Sequence, residues 1–145
     1  MGNDMSDDYQ LWAEATQGVR AFEPRTAEME HSASISLTSS FVFKSAAEAA
    51  AIFSGEQAGN IYSRFTNPTV QAFEQRLALM EGGESCVATS SGMSAILVLC
   101  LSLLKSGDHI LASNGLFGAS INLFNNILTR AGITTTYVDM THLEA

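Results

Sequence analysis

Two short stretches hold the residue types that grip anions. The first is Glu84-Ser85-Cys86-Val87-Ala88-Thr89-Ser90-Ser91-Gly92-Met93-Ser94-Ala95-Ile96. Its five residues ending at Thr89 read as a short buried strand, Ser90-Ser91-Gly92 breaks the run, and Met93 to Leu104 is apolar and helix-length. Strand, small-residue turn and helix in that order make the first half of a βαβ unit. The amides that open such a helix carry partial positive charge and lack intrahelical partners, so a phosphate is their natural occupant. Gly92 has no Cβ to hold a ligand off the backbone. A plain helix cap at Ser90 or Ser91 gives the same pattern without a ligand. The second stretch, Tyr62-Ser63-Arg64-Phe65-Thr66-Asn67-Pro68-Thr69, sets Arg64 among aromatic residues. A guanidinium can take two phosphate oxygens at once; a solvated surface arginine is the plain alternative.

Other chemistries find less support. A dinucleotide fingerprint needs three spaced glycines after the first strand, and only Gly92 is there. The nucleophile-elbow pattern is absent around Ser90 and Ser91. His31, His109 and His142 share no spacing and read as structural. Cys86 and Cys100 lie in apolar runs without metal spacing, which suits two buried thiols in a reducing, cytoplasmic setting.

The elements that position these stretches can be read in outline. Met1 to about Glu30 is an acidic arm with a short helix near Tyr9 to Gln17. Seven Asp/Glu and two Arg fall in those thirty residues, against eight and five elsewhere, so the net charge of -8 belongs largely to the arm. That balance argues against nucleic acid or an anionic membrane surface as a partner. Ser32 to Phe43 reads as extended and strand-like. Ser45 caps a helix to about Phe53, with Glu48 placed for a capping box and Gly55 and Gly59 ending it. Asn67 or Thr66 caps an amphipathic helix, Val70 to Met80, with Val70, Phe73, Leu77 and Met80 on its apolar face. After the central unit come a strand at His109 to Ser113, a helix at Ala119 to Arg130 with Ile121, Phe124, Ile127 and Leu128 inward, and a strand at Ile133 to Val138. Asp139 to Ala145 reads as the start of another helix. Alternating helices and strands predict an α/β fold with a parallel sheet, three strands of it present and incomplete. The organisation expected is an arm and loop over residues 1–69 and the first part of an α/β domain over 70–145. The longest apolar run, Ala95 to Leu104, is about half a membrane span and predicts a core helix.

Taken together, Tyr62-x-Arg64-x-x-Asn67-Pro68-Thr69, then Ala88 to Ile96, then Gly115-Leu116-Phe117-Gly118 closely resemble the pyridoxal-phosphate enzymes of cysteine and methionine metabolism, the cystathionine γ-synthase-like group. The resemblance runs from about Ser32 to the end. It implies a fold-type I transferase, of which this chain would carry the N-terminal arm and the first βαβαβ part of the large domain. It also implies pyridoxal 5'-phosphate as cofactor, with Ser91, Gly92 and Met93 at its phosphate and Phe117 stacked on its ring. Tyr62 and Arg64 would reach the same phosphate from a neighbouring subunit, so the family pattern implies a homo-oligomer, usually a tetramer. Within the group the pattern is nearest to members that replace the γ-substituent of an activated homoserine ester, O-succinylhomoserine, with sulfide to give homocysteine for methionine biosynthesis. Cystathionine synthesis or γ-elimination is the runner-up, and a non-catalytic phosphate-binding module the reading from another class.

Two departures matter. Phe117 stands where the family most often has Tyr, so any proton supplied by that hydroxyl cannot be carried over. The only lysines are Lys44 and Lys105, and neither fits the Schiff-base lysine, which the family places further along, together with an Asp for the ring nitrogen. The expectation is an N-terminal fragment that holds part of a cofactor site and turns over nothing alone.

Overall fold

The computed structural model describes residues 8–23 and 25–141, so His142 and the end of the last expected helix lie outside the described residues. The chain forms two compact units, one running through Ala88 and the other starting at Thr89.

In the first unit residues 9–22 of the arm are packed. Tyr9 meets Trp12 and Phe22 edge-on, with ring centroids 5.0 and 4.8 Å apart. Buried Gln17 donates its amide to the carbonyls of Tyr9 and Trp12 at 2.9 and 3.1 Å. Here the expected single helix is a 3-10 turn, Tyr9–Leu11, followed by α1, Glu14–Arg20. The Tyr9 carbonyl already accepts from Trp12 N–H at 3.2 Å, so Gln17 adds a second bond there and ties the turn to α1. Helix α1 lies on α3 (Pro68–Met80), close enough that a Cβ on Gly18 would sit 3.3 Å from the Met80 sulfur. Arg76 Nε–H, on the side expected to face water, donates to the carbonyl of fully buried Ala21 at 2.9 Å. Such an approach needs small residues, so Ala72 and Ala78 are the buried positions of α3, while Val70 and Phe73 of the expected apolar stripe stay exposed. This packing groups α3 with the arm in the unit that runs through Ala88.

Helix α2 (Ala46–Phe53) starts as expected, with Ser45 Oγ accepting from Glu48 N–H at 3.1 Å. The Glu48 carboxylate reaches back one residue further than a capping box requires and accepts from Lys44 N–H. Residues 41–43 form no strand; the extended segment makes one antiparallel bridge, Ser40 with Tyr62.

The second unit holds α4 (Gly92–Leu103), β1 (His109–Ser113), α5 (Gly118–Asn122) and β2 (Thr134–Val138). Strands β1 and β2 pair in parallel, His109 opposite Thr134 through Ser113 opposite Val138, which makes one βαβ unit. The strand expected at residues 85–89 does not form. Ala88 N–H, which a ladder would use, instead donates to the Glu74 carboxylate at 2.7 Å, and Val87 is 75 % exposed. The core is Cys100, Ala112, Leu123, Phe124, Leu128 and Ile133, with Met93, Ile96, Leu97 and Leu116 packed against it. A two-stranded sheet covers only one stripe of α4. Val98, Leu99, Leu101 and Leu103 are therefore exposed on a helix expected to be core all round.

Beyond α5 the helix widens into a π turn, Leu123–Ile127, in which Leu128 N–H bonds the carbonyl five residues back. It then tightens into a 3-10 turn, Leu128–Ala131. The extra residue keeps Leu123, Phe124 and Leu128 inward and rotates Ile127 out, where the sequence had placed it inside. Gly132 ends the helix at φ 78°, and a Cβ there would fall onto the Ser106 side chain.

Candidate functional site

The head of α4 is built by a serine. Ser91 takes extended backbone angles and its Oγ accepts from Ser94 N–H at 3.1 Å; the first intrahelical bond runs from Ala95 N–H to the Ser91 carbonyl at 3.0 Å. Of the amides that open the helix, the cap uses Ser94 and the helix uses Ala95. Gly92 and Met93 are left pointing forward with no carbonyl to bond in the helix. A Cβ added to Gly92 meets nothing within 4 Å, so the first residue of the helix is open on that side. An anion that needs two backbone donors and a positive dipole fits this donor set. Ser91 Oγ also lies 2.8 Å from Ser94 Oγ, and Thr89 Oγ1 donates to the Ser91 carbonyl at 2.9 Å, so the hydroxyls shape the turn around the amides.

Phe117, in the same unit, precedes α5 with its carbonyl accepting from the amides of Ser120 and Ile121 at 2.9 and 3.2 Å. Its ring is 76 % exposed, an apolar surface available for stacking. Leu116 beside it and Met93 at the head of α4 pack on the same core, which fixes both segments to one scaffold.

The arginine stretch belongs to the first unit. Arg64 is exposed, with its guanidinium carbon 5.4 Å from the Tyr62 ring centroid and 5.2 Å from that of Phe65. It has no ion pair among the described residues, so its donors are uncommitted. The loop beneath is densely bonded: Ser63 N–H donates to the Ser39 carbonyl at 2.9 Å, and the amides of Phe65 and Thr66 to the Tyr62 carbonyl at 2.8 and 3.1 Å. Asn67, expected as a cap, and Ser63, to which the sequence pattern assigns no role, are both anchors of this loop.

The remaining candidates are structural. His109 is exposed, and its Nδ1 sits 2.8 Å from Thr134 Oγ1 across the ladder. The carbonyl of exposed His31 accepts from the Arg20 guanidinium at 3.2 Å. Cys100 is buried, which raises its thiol pKa by desolvation, whereas Cys86 is only half-buried and lines an open cleft of 530 Å³ in the first unit. Among the described residues no group of three or more His, Cys, Asp or Glu could hold a metal, and no helix is long and apolar enough to cross a membrane. Lys44 lies ahead of α2 and Lys105 follows the far end of α4, where its amide donates to Asp108 at 2.9 Å.

A profile of the Cys/Met metabolism PLP-dependent enzymes matches residues 15–145. The chain belongs to this family. Among its curated relatives in the family, an O-succinylhomoserine sulfhydrylase from Pseudomonas aeruginosa is 53 % identical over 130 residues, 90 % of this chain and 32 % of the relative. One of the same name from Mycobacterium tuberculosis is 42 % identical over 88 % of this chain and 31 % of the relative. Two solved structures of PLP-family proteins superpose well. A Campylobacter jejuni protein named O-acetylhomoserine (thiol)-lyase, solved with N'-pyridoxyl-lysine-5'-monophosphate, gives a TM-score of 0.82 at 31 % identity, over 92 % of this chain and 33 % of that one. Cystathionine γ-synthase from Xanthomonas oryzae pv. oryzae gives 0.79 at 29 %, over 92 % and 33 %. The fold is thus that of the fold-type I PLP enzymes, of which the chain spans about a third.

Proposed function

We propose that the whole protein, of which this chain forms about a third by the length of its relatives, uses pyridoxal 5'-phosphate to replace the γ-substituent of O-succinylhomoserine with sulfide, giving homocysteine. The observation that carries the cofactor assignment is the pair of uncommitted amides, Gly92 and Met93, at the head of a serine-capped helix in a chain of a PLP-dependent family. The sulfhydrylase assignment rests on similarity to relatives of that name.

Bound pyridoxal phosphate supplies an electron sink for negative charge developing beside the amino-acid nitrogen. The residues of this chain bind and orient. The amides of Gly92 and Met93 hold the phosphate, with Ser91 fixing the turn and offering the rest of its hydroxyl's bonding capacity. Phe117 gives the ring a flat apolar neighbour and no proton, so the acid that assists departure of succinate comes from another group. Tyr62 and Arg64 add a phenol and a guanidinium to the phosphate from a second copy of the protein, which makes a homo-oligomer the working unit. With two lysines and neither at this site, the chain alone holds cofactor and performs no turnover.

The test is the whole protein incubated with pyridoxal phosphate, O-succinylhomoserine and sulfide. A visible absorbance band that shifts with the amino acid, and sulfide-dependent homocysteine, are the expected results. Soluble protein with no band would overturn the cofactor assignment. A band with cystathionine from added cysteine, and no homocysteine from sulfide, would move the protein to the synthase branch.

A further inference from the structure

We propose that Asn67, with Ser63, is a positioning residue that sets the reach of Arg64 toward the cofactor phosphate; this rests on the phosphate-gripping role given to Arg64 above. Asn67 is only 6 % exposed, on a chain segment whose neighbours Phe65 and Arg64 are open to solvent. Both ends of its amide are used. Oδ1 accepts from the N–H groups of Thr69 and Val70 at 2.9 and 3.4 Å and so starts α3. Nδ2 donates to the Ser36 carbonyl and to Ser63 Oγ, each at 3.0 Å. Ser63 Oγ donates in turn to the Thr38 carbonyl. A cap needs only the oxygen. The nitrogen does a second job: it ties α3 and the extended segment at Ser36 and Thr38 to the residue directly before Arg64. Thr69 Oγ1 completes the tie by accepting from Ser36 N–H at 2.9 Å.

Among the described residues the guanidinium itself has no comparable anchor. It rests on the faces of Tyr62 and Phe65, contacts that set its distance from the rings and leave its direction loose. Its placement is therefore inherited from the backbone at Ser63 and Thr66. Thr66 serves the same loop, its Oγ1 accepting from Ile61 N–H at 3.3 Å. A buried, fully bonded amide resists movement because each broken bond would leave a polar group unpaired.

The experiment measures binding of pyridoxal phosphate and of pyridoxal, which lacks the phosphate, to the whole apoprotein. The variants are Asn67→Asp, Ser63→Ala and Arg64→Ala, and each of the first two combined with the third. Asn67→Asp keeps an oxygen for the cap and loses both Nδ2 donors. We expect it to weaken pyridoxal phosphate about tenfold, the scale of one or two lost hydrogen bonds. Ser63→Ala should weaken it about threefold, and neither should shift pyridoxal more than about twofold. In the Arg64→Ala background both losses should shrink to less than about twofold, since nothing remains to be positioned.

Equal loss for both ligands, or a loss that persists without Arg64, would show a merely structural role and overturn the proposal. If Asn67→Asp does not fold, Ser63→Ala alone decides by the same criteria. Arg64→Ala weakening pyridoxal phosphate while Asn67→Asp and Ser63→Ala leave it unchanged would overturn the positioning role only. No effect of Arg64→Ala would remove the grip assigned to Arg64 and the positioning role with it.

Discussion

The two regions proposed to hold the cofactor phosphate achieve rigidity by opposite means. At the head of α4 the donors are backbone amides, held in place because the helix behind them is seated on an apolar core through Met93, Ile96 and Leu97. At Arg64 the donors sit at the end of a long side chain, and the loop below is fixed by polar ties among Ser36, Thr38, Ser63 and Asn67. The first depends on hydrophobic burial, which is non-directional. The second depends on hydrogen-bond geometry, which is directional and easily lost one atom at a time. A substitution that loosens the core should therefore disturb stability first and binding second, and one in the loop should do the reverse.

The largest expected effect tests the core. Leu128 is fully buried, and Leu128→Ala in the whole protein should cost about 2–5 kcal/mol, read as a lower denaturation midpoint. Gly132→Ala should cost about 2 kcal/mol by the same measurement, from its left-handed φ and from the Cβ driven onto Ser106. Loop chemistry comes next. Arg64→Lys should leave stability within about 0.5 kcal/mol yet weaken pyridoxal phosphate about tenfold, because an ammonium cannot present two parallel donors. A large stability loss there would erase the contrast between the regions. Ser91→Ala should cost about 1 kcal/mol from the lost cap, with smaller effect on binding since the Gly92 and Met93 amides remain.

The smallest effect belongs to the arm. Bonds from Ser34, Thr26 and its own backbone hold the Glu30 carboxylate well down, at about 2 instead of 4.5. A carboxylate lowered by folding contributes stability above its unfolded value and loses it as pH falls through the folded one. Acid titration of stability should accordingly show a shallow loss between pH 4.5 and 2 that Glu30→Gln abolishes.

Much of this was legible in the residues. The serine-capped start of α2, the cap of α3 at Asn67 and β1 at its stated bounds all follow from local chemistry. What escaped was decided by partners distant in sequence. Nothing near Ala88 announces that Glu74 takes its amide, so the run at residues 85–89 still looks like a strand. The amphipathic stripe of α3 was read from apolar size, whereas the arm selected its small residues for close approach. For the candidate site, Gly92, Met93 and Arg64 were visible as donor types; the Ser63–Asn67 tie was not, because both residues look like ordinary turn formers.

The widened turn at Leu123–Ile127 has a consequence for how this segment tolerates change in length. A π turn is an α-helix carrying one surplus residue, so loss of the single codon for exposed Asn126 would restore regular winding while Leu128 still faces Leu123 and the ladder keeps its register. The same single-codon loss within α4 would rotate every residue behind it by about 100° and turn Cys100 to the solvent. A single-residue deletion at Asn126 should thus leave the fold standing where one inside α4 would not.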